Sequence, residues 1–257
     1  MPLLDKKSAE KILGNALLLQ ATISITVSAL LILFLDPILI KLGAKEQIFD
    51  YTHEFLIFLL PGSILSTMCF GFNNMMRASG HPEKAMYTML LTVMINIALA
   101  PLFIYVFKWG MMGAALATVI AMFVGACFVL YHFLNQTSNI RLKRENIRFD
   151  AKIIKAILSI GMSPFLIQLV ASSVAFVIIH QLQSYGDKTQ VAAYTIMNTL
   201  VMLVIMVITG LTEGMQPIVG YNFGAKKMHR VKEAVIYTIK VGIAFGTVGL
   251  IIGVFIP

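Results

Sequence analysis

Several long stretches of this sequence, 16–35 and 196–211 among them, contain no charged residue, which points to a lipid environment. Residues 16–35 and 196–211 carry no Asp, Glu, Lys or Arg, and a helix needs about 20 apolar residues to cross the ~30 Å core of a bilayer. Of the 257 residues, 58% are hydrophobic and 12% charged, whereas soluble domains average about 45–50% and about 25%. A water-soluble domain is therefore excluded. Because the apolar runs are continuous rather than alternating, a transmembrane barrel is excluded too, and the sequence predicts an all-α polytopic membrane protein.

Breaks rich in charged or turn-forming residues divide the sequence into seven apolar segments that are long enough to be membrane spans. We predict spans at about residues 12–35, 47–70, 85–107, 111–134, 152–182, 191–219 and 233–256. The single long polar linker, rich in Arg and Lys, follows the fourth span. The predicted organisation is four helices in residues 1–134, a linker in 135–150 and three helices in 151–257.

The basic residues are distributed unevenly between the two sides of the predicted bundle. With loops on alternate sides, 15 of the 20 Lys and Arg residues lie on the side of the N-terminus, four lie on the other side, and Lys240 falls within the last span. Cytoplasmic loops of membrane proteins carry an excess of Lys and Arg. The N-terminus and the 135–150 linker are therefore predicted to be cytoplasmic. The same rule accounts for the net charge of +8, so no nucleic-acid partner is expected.

A weak internal repeat relates the first predicted span to the last. An offset of 220 residues aligns Lys6 and Lys7 with Lys226 and Lys227, and it gives six identities in 32 positions. This offset aligns the first span with the seventh, which is six spans later. Because six is an even number, both copies insert in the same orientation, and the repeat is parallel. Completing both copies requires two helices before the chain and three after it. We therefore interpret the chain as a fragment of a twelve-helix fold.

Three motifs and one short segment carry a resemblance to a known family. The motifs are RASGHPEKAM at 77–86, WGMMGAALAT at 109–118 and GMQPIVGYNFGA at 214–225, and the segment is NIALAP at 96–101. Together they resemble the multidrug and toxic compound extrusion (MATE) family of drug/cation antiporters, whose members have twelve helices in two six-helix lobes. The chain resembles the third to ninth of those helices. The motif residues singled out here are Arg77, Gly80, Pro101, Gly113, Gln216, Pro217, Asn222 and Gly224.

The resemblance implies a secondary active antiporter that exports amphipathic, often cationic compounds in exchange for protons or sodium. It implies a transporter rather than an enzyme, without cofactor or metal, in the plasma membrane of a bacterium. The expected partners are the bilayer and small lipophilic, often cationic substrates, and the full-length protein is expected to be a monomer. Many bacterial members carry a carboxylate directly before the proline of the 96–101 segment, and it is implicated in ion coupling. This chain has Ala100 there, so the coupling ion stays open.

The motif residues also have simple structural interpretations. Gly80 and Pro82 suit a tight turn, because Gly tolerates positive φ and Pro can begin the next helix. Arg77 can serve as a basic residue at the cytoplasmic boundary, and Gly113 as a small residue that lets helices approach closely. Pro217 removes a backbone donor, which fits either a break in a moving helix or the end of a helix before a cytoplasmic turn at 222–227.

Four polar side chains are predicted to lie within the membrane, as candidates for a substrate or ion pathway. At about 1.5 Å per residue, Asn96 is about 18 Å beyond Lys84, close to the midplane, and Gln168 is at a similar depth in its span. Asn198 lies closer to the outer side. Glu213 lies close to the cytoplasmic boundary, where the depth also admits a solvated carboxylate. For each of the amides, a hydrogen bond between helices is the alternative to contact with substrate.

Three alternatives to drug export stay open. A lipid-linked oligosaccharide flippase of a related fold would need a basic cavity for phosphate, but Lys240 is the only Lys or Arg that lies away from the first turn of a span. An intramembrane enzyme would need paired acids, a His cluster or an activated nucleophile. Neither Cys69 nor Cys127 suggests a disulfide or a metal site, since both lie in apolar stretches. The third alternative is an inactive transporter fragment.

Overall fold

The computed structural model describes residues 6–42, 46–135, 138, 140–185 and 188–255, and these residues are almost entirely helical. A π-helical turn at Leu102–Val106 follows α5, and a 3₁₀ turn at Arg144–Asn146 precedes α7. No β-strand occurs in the described ranges. The α-helices are α1 Lys6–Leu33, α2 Leu35–Lys41, α3 Glu46–Leu59, α4 Ser63–Ala78, α5 Pro82–Pro101, α6 Gly110–Leu134, α7 Ala151–Tyr185, α8 Lys188–Gly224 and α9 Met228–Phe255.

The predicted all-α membrane architecture is confirmed. Within the described part of the chain, six helices are long and apolar enough to cross a membrane, and a bent pair, α3 and α4, makes a seventh. The sequence predicted one continuous span at 47–70, whereas the two helices meet at an angle of 59°. The break falls at Leu60–Gly62 because Pro61 lacks an N–H and its ring clashes with the carbonyl four residues earlier.

The described chain divides into two compact units, residues 6–154 and residues 155–255. The first has a buried core of large and small apolar side chains from α1, α4, α5 and α6: Leu13, Phe72, Met76, Ala85, Val129 and Phe133. In the second, α8 packs along α9 so closely that a Cβ on Gly249 would lie 2.8 Å from Val204. Most of the described side chains of α7 from residue 155 onward are exposed within that unit.

Most of the predicted 135–150 linker folds back on the first unit. Leu142 donates its N–H to the Phe133 carbonyl at 2.9 Å, and Ile140 and Leu142 pack against the buried core. The 3₁₀ turn lies so close to α1 that a Cβ on Gly14 would be 2.2 Å from the carbonyl oxygen of Asn146. The described residues of the linker are therefore a fixed part of the first unit, and the division between units falls just inside α7.

Candidate functional site

A buried carboxylate near the start of α1 is held by the linker. Glu10 is 1% exposed, and its Oε2 lies 2.9 Å from the Nζ of Lys143. The hydrogen bond to Glu10 raises the pKa of Lys143, because it favours the charged ammonium. Nearby, the Asp150 N–H donates to the Oδ1 of Asn15 at 2.8 Å, while the Asp150 carboxylate caps α7 by accepting from the Lys152 N–H at 3.0 Å. These bonds fasten both ends of the 143–150 segment.

Three serine hydroxyls converge on the break between α3 and α4. The Ser28 hydroxyl lies 2.5 Å from that of Ser63 and donates to the Leu60 carbonyl at 2.9 Å. Ser24 lies 3.0 Å from Ser63 and continues the chain of hydroxyls. The Leu60 carbonyl also accepts from the Ser63 N–H at 3.0 Å, so the Ser28 hydroxyl supplies a second donor at the point where Pro61 and Gly62 interrupt the helix.

The amide of Asn96 forms a hydrogen bond between helices. Its Nδ2 donates to the Oγ1 of Thr118 on α6 at 3.1 Å, and Thr118 donates onward to the Ala114 carbonyl at 3.1 Å. Asn96 is half-buried between α5 and α6. This geometry corresponds to the packing alternative that the sequence left open for Asn96.

A shallow groove of about 470 Å³ on α7 contains Gln168. The groove is lined by aromatic, hydroxyl and aliphatic side chains as well: Phe165, Leu169, Ser172, Ser173, Phe176 and Val177. The Ser173 hydroxyl donates to the Leu169 carbonyl of its own helix at 2.8 Å. Asn198 and Glu213 lie outside this groove as half-buried residues of α8. Of the four predicted pathway residues, Asn96 thus belongs to the first unit and the others to the second.

The turn motif at 77–86 adopts the predicted conformation. Gly80 has a φ of +91°, and Pro82 begins α5. The N–H of His81 donates to the Met76 carbonyl and that of Gly80 to the Arg77 carbonyl, both at 3.1 Å, a pattern that satisfies the last carbonyls of α4. The Arg77 guanidinium donates to the Oδ1 of Asn74 at 2.8 Å.

Two further motif residues act on helix geometry. Pro101 ends α5, and the π-helical turn follows at once. Gly113 is buried, and a Cβ there would lie 2.9 Å from the Cβ of Phe103 and 3.1 Å from its carbonyl oxygen. Gly113 therefore lets α6 approach the π-helical turn, as its interpretation as a packing residue predicted.

The structure contradicts one of the two interpretations predicted for Pro217 in the motif at 214–225, namely that it marks the end of a helix. The helix does not end at Gln216 and Pro217, because α8 continues through both to Gly224. Pro217 removes one N–H and its ring crowds the carbonyl four residues earlier, yet the helix continues through it. Asn222 donates from Nδ2 to the Ile218 carbonyl at 2.9 Å. In the following turn the left-handed residue is Lys226, with a φ of +58°, rather than a glycine.

Several contacts were not predicted from the sequence. The pairs Glu10–Lys143 and Asn15–Asp150 join residues far apart in the chain, and no local pattern indicates them. His81 and His132 also meet, with ring centroids 4.8 Å apart. The break at Pro61 did have a local signal, since a Pro-Gly pair in the middle of an apolar run marks a turn.

Long apolar helices, a broken span and polar side chains within the membrane define a multi-pass helical membrane protein. The model of the MatE family matches residues 5–102 and 164–257, one stretch on either side of the linker. The matched stretches make up more than half of the chain, and the chain belongs to this family.

Individual relatives agree with the family. The chain is 30% identical over 210 residues to the multidrug export protein MepA of Staphylococcus aureus, covering 81% of this chain and 46% of that protein. It is 30% identical over 222 residues to MepA of Staphylococcus saprophyticus, covering 83% and 49%. The chain thus spans about half the length of the curated relatives that it matches.

Solved structures share the fold. An outward-facing multidrug resistance MATE family transporter of the MOP superfamily is 26% identical, with a TM-score of 0.87 over 96% of this chain and 56% of the other. A MOP superfamily transporter from Pyrococcus furiosus, whose binding pocket of reverse polarity suggests a different function, is 27% identical, with a TM-score of 0.89 over 98% and 56%.

Proposed function

We propose that this chain acts in secondary active efflux, as part of an antiporter that exports amphipathic, often cationic compounds in exchange for protons or sodium. Its similarity to proteins named multidrug export protein supports this class of substrate. The observation that carries the proposal is the groove on α7, where an amide and hydroxyls stand beside aromatic rings at membrane depth.

The α7 groove offers the groups that a lipophilic cation needs. The rings of Phe165 and Phe176 can attract a cation through their electron-rich faces, and the Gln168 amide and the Ser172 hydroxyl can donate and accept hydrogen bonds. Polar groups in contact with hydrocarbon cost free energy, so such a face suits a hydrated cavity or a bound substrate. Among the described residues no carboxylate lines the groove, so recognition rests on ring faces and dipoles rather than on an ion pair.

We further propose that the protein lies in a bacterial plasma membrane as a monomer, with the N-terminus of this chain in the cytoplasm. Reporter fusions after Arg148 and at 186–189, of which 186 and 187 lie outside the described residues, test the orientation. The first fusion should report a cytoplasmic position and the second an external one. The opposite pattern would contradict the proposed topology.

Transport is tested by the accumulation of ethidium in cells that express the 257-residue chain by itself, or the complete gene that encodes it. We expect ethidium exclusion in the second form, lost on addition of a protonophore if protons drive export, or on removal of sodium if sodium does. Gln168→Leu and Ser172→Ala should weaken exclusion. Thr209→Ala is the matched control, because that hydroxyl lies outside the groove and is bonded to the Ile205 carbonyl of its own helix.

Two outcomes would contradict parts of this proposal. Exclusion that responds to neither the protonophore nor sodium would contradict ion-coupled antiport. No exclusion by a form that is folded and inserted in the membrane would count against drug export and favour the flippase alternative, which translocation of a fluorescent lipid-linked sugar in vesicles would then test.

A further inference from the structure

A groove lies beside the turn that joins α8 to α9, within the second unit. It has a volume of about 670 Å³ and is lined by polar and apolar side chains of both helices, among them Ile218, Asn222, His229, Arg230, Glu233 and Tyr237. None of the four predicted pathway residues lines this groove. It is therefore separate from the α7 groove proposed for substrate.

The segment beside the groove is strongly basic. Residues 226–232 contain Lys226, Lys227, Arg230 and Lys232, and all four side chains are exposed. Of these, only Arg230 lines the groove. In the described ranges no carboxylate lies within 4.0 Å of its guanidinium, although Glu233 is on the same wall. An exposed guanidinium without an acidic partner suits a bidentate contact with phosphate.

The polarity of the groove changes along its length. Arg230 lies at the boundary of the membrane helix Met228–Ile251, and Tyr237 is about 10 Å further along the helix axis. His229 and Asn222 lie at the polar end, whereas Ile218 adds aliphatic surface. Apart from Glu233, about 5 Å beyond Arg230 along the helix axis, the groove is cationic at the boundary and mainly apolar deeper in. This polarity matches a molecule with an anionic head and a hydrocarbon tail, rather than a fully hydrated anion.

We propose that this groove binds an anionic phospholipid. The guanidinium of Arg230 contacts the lipid phosphate, and Ile218 and Tyr237 lie against the first part of the acyl chain. Glu233 opposes the negative charge of the lipid, so its carboxylate limits the affinity. The site is thus expected to distinguish phosphatidylglycerol from the zwitterionic phosphatidylcholine.

The test is native mass spectrometry of the purified 257-residue chain, titrated with dioleoyl phosphatidylglycerol or dioleoyl phosphatidylcholine. Arg230→Gln should weaken phosphatidylglycerol binding by about tenfold or more, as expected for the loss of a charge-assisted hydrogen bond, and leave phosphatidylcholine binding unchanged. Glu233→Gln should strengthen phosphatidylglycerol binding. Lys227→Gln and Lys232→Gln remove the same charge outside the groove, and each should weaken binding by about fivefold or less.

Equal losses in Arg230→Gln, Lys227→Gln and Lys232→Gln would overturn the proposal, since they would indicate only diffuse attraction between basic residues and an anionic surface. Equal binding of the two lipids would overturn it as well. Displacement of phosphatidylglycerol by millimolar inorganic phosphate would identify a site for free anions and contradict a lipid site. If the Arg230→Gln variant loses its helical circular dichroism, phosphatidylglycerol binding by the Glu233→Gln variant tests the proposal instead. Binding no stronger than that of the unmodified chain would then contradict the proposal.

Discussion

The Nζ of Lys143 lies 2.9 Å from the Oε2 of Glu10, a carboxylate with 1% of its surface exposed. The lysine side chain itself is 44% exposed, so the two partners differ in how much water they would regain if the pair were broken. This pair connects the linker to the first helix of the bundle. Its asymmetry gives the first prediction.

Removal of the lysine should destabilise the protein more than neutralisation of the glutamate. Lys143→Met leaves a buried carboxylate without its charge partner, whereas Glu10→Gln leaves an ammonium that water still reaches. We expect the unfolding temperature in detergent to fall more for Lys143→Met than for Glu10→Gln, and to recover partly in the double variant. Arg144→Gln, which removes an exposed charge one residue away, is the control and should have little effect.

The pH dependence of the pair follows from the raised pKa of Lys143. A group whose pKa is higher in the folded state contributes its full stability below its unfolded pKa, which is about 10.4 for lysine. Stability is then lost as the pH rises through the higher folded pKa. The difference in unfolding temperature between the natural chain and Lys143→Met should therefore be constant from pH 7 to about pH 9, and a steep decline within that range would contradict the hydrogen-bonded pair.

The serine hydroxyls at the α3–α4 break should contribute more to the free energy of unfolding than hydroxyls elsewhere in the helices. Ser28→Ala removes one of the two donors to the Leu60 carbonyl and the hydroxyl partner of Ser63, and the loss of a hydrogen bond costs about 0.5–1.5 kcal/mol. Thr22→Ala is the matched control, because the Thr22 hydroxyl is exposed and bonded to the Leu18 carbonyl of its own helix. Equal changes in the free energy of unfolding for the two variants would show that the cluster has no special role.

Three substitutions isolate the effect of backbone conformation. A Cβ added at Gly80 or at Gly161 meets no atom within 4 Å, but only Gly80 has a positive φ, of +91°. Gly80→Ala should therefore destabilise by about 1 kcal/mol, and Gly161→Ala should be neutral or stabilising because it lies within a helix. Lys226→Gly should stabilise by up to about 1 kcal/mol, since it relieves a left-handed lysine. Chemical unfolding in mixed micelles measures all three, and a destabilised Lys226→Gly would contradict the assigned turn.

The Asn96–Thr118 bond should appear as coupling between two substitutions. Asn96→Ala and Thr118→Val each remove one partner of the 3.1 Å bond, and the double variant should lose less stability than the sum of the single ones. The coupling expected for such bonds between membrane helices is about 0.6 kcal/mol, with values up to about 1.7 kcal/mol. Additive losses, combined with weaker export in the Asn96→Ala variant, would instead place Asn96 on the substrate pathway.

The helical membrane class could be read from residues that are close together in the sequence. The charge-free run at 16–35 predicts a span because removal of apolar area from water dominates the free energy of such a segment, wherever its neighbours lie. The turn at Gly80 and Pro82 was predictable for a similar reason, since φ preferences belong to single residues. The Pro-Gly pair at 61–62 carried a local signal of the same kind, although the sequence was interpreted as one continuous span there. These properties needed no knowledge of the fold.

Only the tertiary structure decided how the polar residues are used. Asn96 was predicted to lie at membrane depth, but whether it met substrate, water or Thr118 depended on the packing of α5 against α6. The linker was predicted to be polar, yet Glu10 and Asn15 determine how it folds, through partners that are distant in the chain. Pro217 was compatible with a helix end, but the flanking hydrogen bonds of α8 carried the helix past it. Hydrogen bonds and ion pairs are short-ranged and directional, so their partners become defined only when the helices have packed.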